Sequence, residues 1–194
     1  MNTVLVVVGA VVLFSLVLLF YRPRDAFAAK RAILQQIAAE RNGCVEGKYG
    51  QPPRLTLPFP RGNLNVFDLE GENLHGTSLA CSFDRRTDFE MVIHWDKSFG
   101  LLGKTGWYRM IKVANKEFDK NFTVISNSDP RINDFLDPEL QEKLLRIKDD
   151  RPILELKGET FRLDICKELA DKQEYDAFID LGLEIMGRML RLNL

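Results

Sequence analysis

Only two histidines occur in the chain, His75 and His94, so a nucleophile that relies on an imidazole base would have to use one of them. Cys81 and His94 stand in neighbouring runs of strand-like alternation, which raises a cysteine–histidine pair. The alternation separates them: Leu79, Cys81 and Phe83 share one face, whereas Glu90, His94 and Asp96 share the other. The expected reading is a buried structural cysteine and a solvated histidine. His94 and Asp96 are also the best local set of metal ligands, with Glu90 further along the same face. Same-face side chains two residues apart on a strand are about 7 Å apart, so another element would have to add a third ligand. His75 could supply it only if the preceding loop folds back. Gly100-Leu-Leu-Gly103-Lys104-Thr105 has the end of a phosphate-binding loop, but Phe99 stands where the first glycine is required. No catalytic residue, metal ligand or cofactor is therefore assigned.

The same stretch offers a different chemistry. Phe99, Leu101 and Leu102 lie between glycines, with Trp107 just beyond, and large apolar side chains in a loop are either tucked under a sheet or left for a partner to cover. Phe99, Leu101, Leu102 and Trp107 are the candidate contact for a protein partner or a membrane. Arg85, Arg86 and Lys104 are the candidate contact for lipid headgroups. Pro52-Pro53 with Pro58-Phe59-Pro60 reads as a rigid extended edge, or as a proline-rich ligand for a partner module.

The elements that must position these residues begin with an apolar, uncharged run from Thr3 to Tyr21. In helical form it would cover about 28 Å, close to the hydrocarbon thickness of a bilayer. Arg22, Arg24, Lys30 and Arg31 follow at once, and Met1-Asn2-Thr3 carries no basic side chain. That asymmetry predicts a single-pass cell-membrane anchor contacting lipid through residues 3–21, with the body on the cytoplasmic side. A cleavable signal peptide ending near Ala26-Phe27-Ala28 is the rival reading, but the core is long and the basic cluster is on the wrong side of it. Three cysteines without paired spacing suit a reducing compartment. A net charge of -1 gives no electrostatic pull toward nucleic acid.

Three parts are expected: an anchor over 1–22, a juxtamembrane helix over 23–43 and one α+β domain over 44–194. Phe27, Ile33, Leu34 and Ile37 form one stripe of the second part, ended by Asn42-Gly43, and the stripe is expected to lie on the chain's own domain. Strands are predicted at Arg54–Pro58, Leu64–Glu70, Thr77–Asp84, Phe89–Asp96 and Thr105–Val113, the third and fourth forming an antiparallel hairpin around Arg85-Arg86-Thr87-Asp88. Phe118 to Ser126 reads as a further strand. Asp129-Pro130 and Asp137-Pro138 each pair an N-cap with proline at the first helical position, and Leu140, Leu144, Leu145 and Ile147 mark the internal helix. Pro152–Leu156 and Thr160–Cys166 read as a hairpin around Lys157-Gly158-Glu159. A terminal amphipathic helix opens on Asp171 and Glu174 and continues through Tyr175, Phe178, Leu181, Gly182, Ile185, Met189 and Leu192.

Phe118-Asp119, Phe122-Thr-Val124, Ser126-Asn127, Asp129, Phe135-Leu136-Asp137-Pro138-Glu139-Leu140 and Leu144-Leu145 together resemble the core of a family of uncharacterised bacterial membrane-anchored domains. Their pattern is FDxxFxVxSxD followed by LLTPxLxxxLL, a glycine hairpin and a terminal helix. Asp137 stands where that family has threonine, which keeps the N-cap role. The resemblance spans roughly residues 45 to 190 and implies an architecture and a membrane setting without a mechanism. The expected function is a non-enzymatic, membrane-tethered interaction domain, an accessory subunit of a membrane protein assembly whose protein partner is unidentified. The alternative is a pleckstrin-like lipid-binding module at the cytoplasmic face. A hydrolase using His94 is the third reading and would need a concave pocket.

Overall fold

The structure, a computed structural model, describes residues 26–71, 74–96 and 109–192. The apolar run at 3–21 lies outside the described residues. Among those described, no helix is long and apolar enough to cross a membrane.

Among the described residues, nine strands form one antiparallel sheet: β1 (Cys44–Glu46), β2 (Arg54–Phe59), β3 (Gly62–Gly71), β4 (Leu74–Phe83), β5 (Met91–His94), β6 (Arg109–Ile111), β7 (Thr123–Ser126), β8 (Ile153–Lys157) and β9 (Thr160–Ile165). Five described α-helices accompany them, α1 (Ala28–Glu40), α2 (Lys116–Asn121), α3 (Asp129–Phe135), α4 (Pro138–Arg146) and α5 (Lys172–Arg191), with a short 3-10 turn at Lys148–Asp150. The α+β class, the large antiparallel sheet and the terminal helix agree with the sequence reading. The strand order is β1-β2-β3-β4-β9-β8-β5-β7-β6.

Registration across this order aligns one aliphatic residue from every strand: Val45, Leu55, Val66, Leu79, Leu163, Leu154, Ile93, Val124 and Ile111. A second rib runs through Leu57, Leu64, Cys81, Phe161, Leu156 and Met91. Both lie on one face, since side chains two apart share a side of the pleat. Apart from the partly buried Val45, which packs against it, their members form a single buried core with Leu34 and Ile37 of α1 and Phe178, Ile179, Ile185 and Met186 of α5.

Two expectations are corrected. β4 and β5 do not form a hairpin: β4 pairs with β3 and β9, and β5 with β8 and β7. The β8–β9 hairpin inserts between them and continues both apolar ribs, which a direct β4–β5 pairing would leave without the bulk of Phe161, Leu163, Leu154 and Leu156. Phe118 to Asn121 is helical, and the strand begins only at Thr123. The Asn115 side chain accepts from the Glu117 and Phe118 amides at 3.1 and 3.2 Å, capping α2 and favouring a helical turn over a ladder. Phe118 and Phe122 then meet at helical spacing, with ring centroids 4.7 Å apart.

The predicted caps at the two later helices are present. Asp137 accepts from the Leu140 amide at 2.9 Å, with Pro138 opening α4. Asp171 accepts from the Glu174 amide at 3.0 Å, while the Glu174 carboxylate reaches back to the Ala170 amide at 2.8 Å. For α3 the cap position falls on Ser128, one residue before the expected Asp129.

α4 and α5 are joined by a charge cluster around buried Arg188. It pairs with Asp137, with Glu139 at 3.1 Å and with Glu184 at 2.9 Å, and Lys143 bridges Glu139 and Glu184 at 2.7 and 2.6 Å. Burial opposes the charges of Asp137 and Glu184. The Leu140 amide and Arg188 outweigh it at Asp137, and Lys143 with Arg188 does so at Glu184, so both carboxyls lie below their ordinary values. A depressed carboxyl stabilises the fold fully above its unfolded value and loses that contribution as pH falls through its folded value. The melting temperature is therefore expected to hold until the pH approaches the ordinary glutamate value of 4.5 and to decline below it. Asp137→Asn should flatten that decline; thermal melts across the acid range check it.

Candidate functional site

The sheet has two ends with different chemistry. β3 runs from Gly62 at one end to Gly71 at the other, and its ten residues span about 30 Å. Near the Gly71 end, the first turn of α1 reaches β3 through the pair of Lys30 with Asp68. Ala26, Phe27 and Lys30 border a cleft of about 490 Å³ with Asp68, Leu69, His75 and Glu168. At the Gly62 end, Arg61, Asp84 and Arg85 border a smaller hollow of about 340 Å³.

The arrival of α1 is fixed by packing and by charge. Leu34, Ile37 and Ala38 are buried, and α1 lies against β1, β2 and α5. The helix stops where Asn42 takes a left-handed φ of 56° and the Gly43 amide donates to the Ala38 carbonyl at 2.8 Å. Lys30 pairs with Asp68, their side chains only 18% and 12% exposed. Burial disfavours the ammonium, but the Asp68 carboxylate and the Tyr175 hydroxyl outweigh it and hold the Lys30 pKa above the ordinary lysine value. Arg41, at the other end of α1, forks onto Asp176 at 2.9 Å and Asp180 at 2.8 Å of α5. Lys172 of α5 reaches Glu40 at 2.7 Å. Helix, sheet and terminal helix are thus one unit.

Arg31 extends this junction to the β1–β2 loop. Its guanidinium donates to the carbonyls of Gly47, Lys48 and Gln51 at 2.8, 3.0 and 3.3 Å. A second cleft, about 520 Å³, lies between this loop and β3 and is bordered by Gln51, Pro52, Pro53, Arg54, Phe67, Asp68 and Leu69. Asp68 and Leu69 border both clefts, so the tip of β3 divides them. The Arg54 guanidinium lies over the Phe67 ring, 4.9 Å from its centroid.

Phe99, Leu101, Leu102, Lys104 and Trp107 fall outside the described residues, as does the Gly100–Thr105 loop. Arg85 and Arg86 are exposed on the loop after β4, at the Gly62 end, opposite the end at which α1 begins. Pro52 and Pro53 border the second cleft.

Cys81 and His94 are separated by β9 and β8, which puts them about 14 Å apart across the strands, and they face opposite sides. Cys81 is 1% exposed, and burial, aided by Asp84, pushes its thiol up to about 11. His94 stacks on Trp95 with centroids 5.8 Å apart, and its Nδ1 accepts from the Asp96 amide at 2.8 Å. Burial lowers its pKa below the ordinary histidine value. Among the described residues no group of three histidine, cysteine or carboxylate side chains is placed to hold a metal. Exposure orders the thiols as Cys44, Cys166, Cys81. A limiting thiol reagent is expected to modify Cys44 first and leave Cys81 until unfolding, read by peptide mass spectrometry.

The features of the entry end escape sequence reading because they join residues far apart in the chain. Lys30 and Asp68 are 38 positions apart, and Arg31 meets its carbonyls 16 to 20 positions on. The one available signal was that Lys30 and Arg31 open the amphipathic helix as well as following the apolar run.

Comparison with known proteins gives a fold and little more. Residues 72–152 match the model of a protein family of unknown function, DUF3137. No curated protein matches the chain. The fold is similar to the crystal structure of the mycobacterial trehalose monomycolate transport factor A, TtfA, with a TM-score of 0.55 and 10% identity over 86% of this chain and 96% of that one.

Proposed function

We propose that the chain is a non-enzymatic accessory domain, tethered to a membrane by residues 3–21, that acts by binding a protein partner in a membrane assembly on the cytoplasmic side. The observation that carries this reading is the rigid junction of α1 with the body. Ala28 lies seven residues after Tyr21, and Leu34, Ile37, Lys30, Arg31 and Arg41 lock the helix to the sheet, the β1–β2 loop and α5. With α1 part of the body, only residues 22–27 separate the apolar run from the folded domain, a connection of at most about 25 Å that holds the body close to the bilayer surface. The likeness in fold to a mycobacterial transport factor suggests an accessory, transport-associated role by analogy of fold alone. Arg22 and Arg24, beside the apolar run, support the cytoplasmic placement.

On this reading the Gly62 end, with Arg61, Arg85 and Arg86, faces away from the bilayer, so its arginines are better placed for an acidic protein surface than for headgroups of the same membrane. Phe99, Leu101, Leu102 and Trp107 remain the proposed apolar contact, and Lys104 a basic one. The test is to purify the full-length chain from its native membrane in mild detergent and to identify what accompanies it in stoichiometric amount. A constant membrane-protein companion is the expected result. Recovery alone, with bound anionic lipid, would overturn it in favour of a lipid-binding module.

A further inference from the structure

We infer that the β1–β2 loop, with Tyr49 at its tip, is a second contact with the bilayer surface, seating the phenol ring at headgroup level beside the point where the chain leaves its apolar run. The inference deepens the tether reading and rests on it.

The loop is built to present that ring. The Gln51 amide donates to the Lys48 carbonyl at 3.0 Å, closing a four-residue turn. Gly50 takes a φ of 77° at the third position, where a type II turn needs a positive φ, so Tyr49 occupies the second position and points away from the turn. Tyr49 is 63% exposed, the most exposed large hydrophobic side chain among the described residues. Arg31 binds carbonyls on both sides of the turn, so the tip is fixed to α1 and does not swing independently.

Its position follows from the chain. Glu46 pairs with Arg54, and Arg31 stands one turn into α1, so the loop lies at the Gly71 end with Phe27 and Leu69. Ala28 is seven residues from Tyr21, a connection of at most about 25 Å even if fully extended. A phenol ring joins an apolar body to a polar tip, and such rings concentrate where hydrocarbon meets headgroups. Lys48 adds a long side chain able to reach phosphates while its stem stays on apolar surface. Lys48, Arg31 and Arg54 at this end are opposed by Glu46 and Glu168, and Lys30 is paired with Asp68, so the ring supplies most of the attraction and the charges a smaller share.

The experiment uses the full-length chain in nanodiscs of mixed zwitterionic and anionic phospholipid that include a phospholipid carrying a photoactivatable diazirine near its glycerol backbone. Labelled peptides are located by mass spectrometry. The expected result is label within 3–21 and on 47–51, with none on 84–88, and loss of the 47–51 label in Tyr49→Ser but not in Tyr49→Trp. Label within 3–21 but absent from 47–51 would overturn the loop contact and leave the tether standing, with a protein partner as the occupant of Tyr49. Label in neither segment would overturn the tether, and the loop contact with it.

Discussion

Ile37→Asp releases α1 from the body. Ile37 is fully buried in the core that α1 shares with the sheet and α5, and a carboxylate placed there loses its hydration. Breaking up a buried site in this way costs about 3 kcal/mol or more, comparable to what the packing of one short helix supplies. Hydrogen exchange on the intact chain should show the amides of residues 28–40 losing protection while those of β4, β9 and α5 keep theirs. The milder Ile37→Ala should cost about 2–4 kcal/mol by denaturant unfolding. Unchanged protection over α1 in Ile37→Asp would mean that the junction is not what holds the helix, and the reading of α1 as part of a body held close to the bilayer would fall with it.

Gly76→Ala is the second large effect. A β-carbon at this position would lie 2.0 Å from the Ile165 carbonyl oxygen and 3.0 Å from its carbon. Both obstacles are backbone, so no rotamer change relieves them. β4 and β9 would have to part at the Thr77–Ile165 end of their ladder. Overpacking of this kind costs typically 1–3 kcal/mol, and a contact with fixed backbone belongs at the upper end, about 3 kcal/mol. Gly76 also lies opposite Leu69 and next to His75, so the first cleft should widen as the strands separate. Denaturant unfolding checks the stability. A loss below about 0.5 kcal/mol, the scatter of neutral surface changes, would contradict the close approach.

The parts of this fold legible in the sequence are those decided locally. The stripe of Phe27, Ile33, Leu34 and Ile37, the caps Asp137 and Asp171 and the turn at Gly158-Glu159 each depend on neighbours within a few residues. Pairing order is not local. Alternation showed which sides of β4 and β5 face the core, but not that a hairpin some seventy residues later would enter between them. Phe118 and Phe122 suit either period, and Asn115, which decides the matter by capping α2, precedes the ambiguous segment. The entry end was less legible still, because Lys30–Asp68 and Arg31 with its three carbonyls arise only when α1 folds back on the sheet. Tyr49 carries no signal in the sequence; the turn around Gly50 and the Arg31 bonds fix it at the Gly71 end, where α1 begins.

The tether itself is tested most directly by washing membranes that carry the full-length chain with alkaline carbonate, which strips peripheral proteins and leaves spanning ones. With residues 3–21 across the lipid, the chain stays in the membrane pellet. Quantitative release into the supernatant would contradict the account.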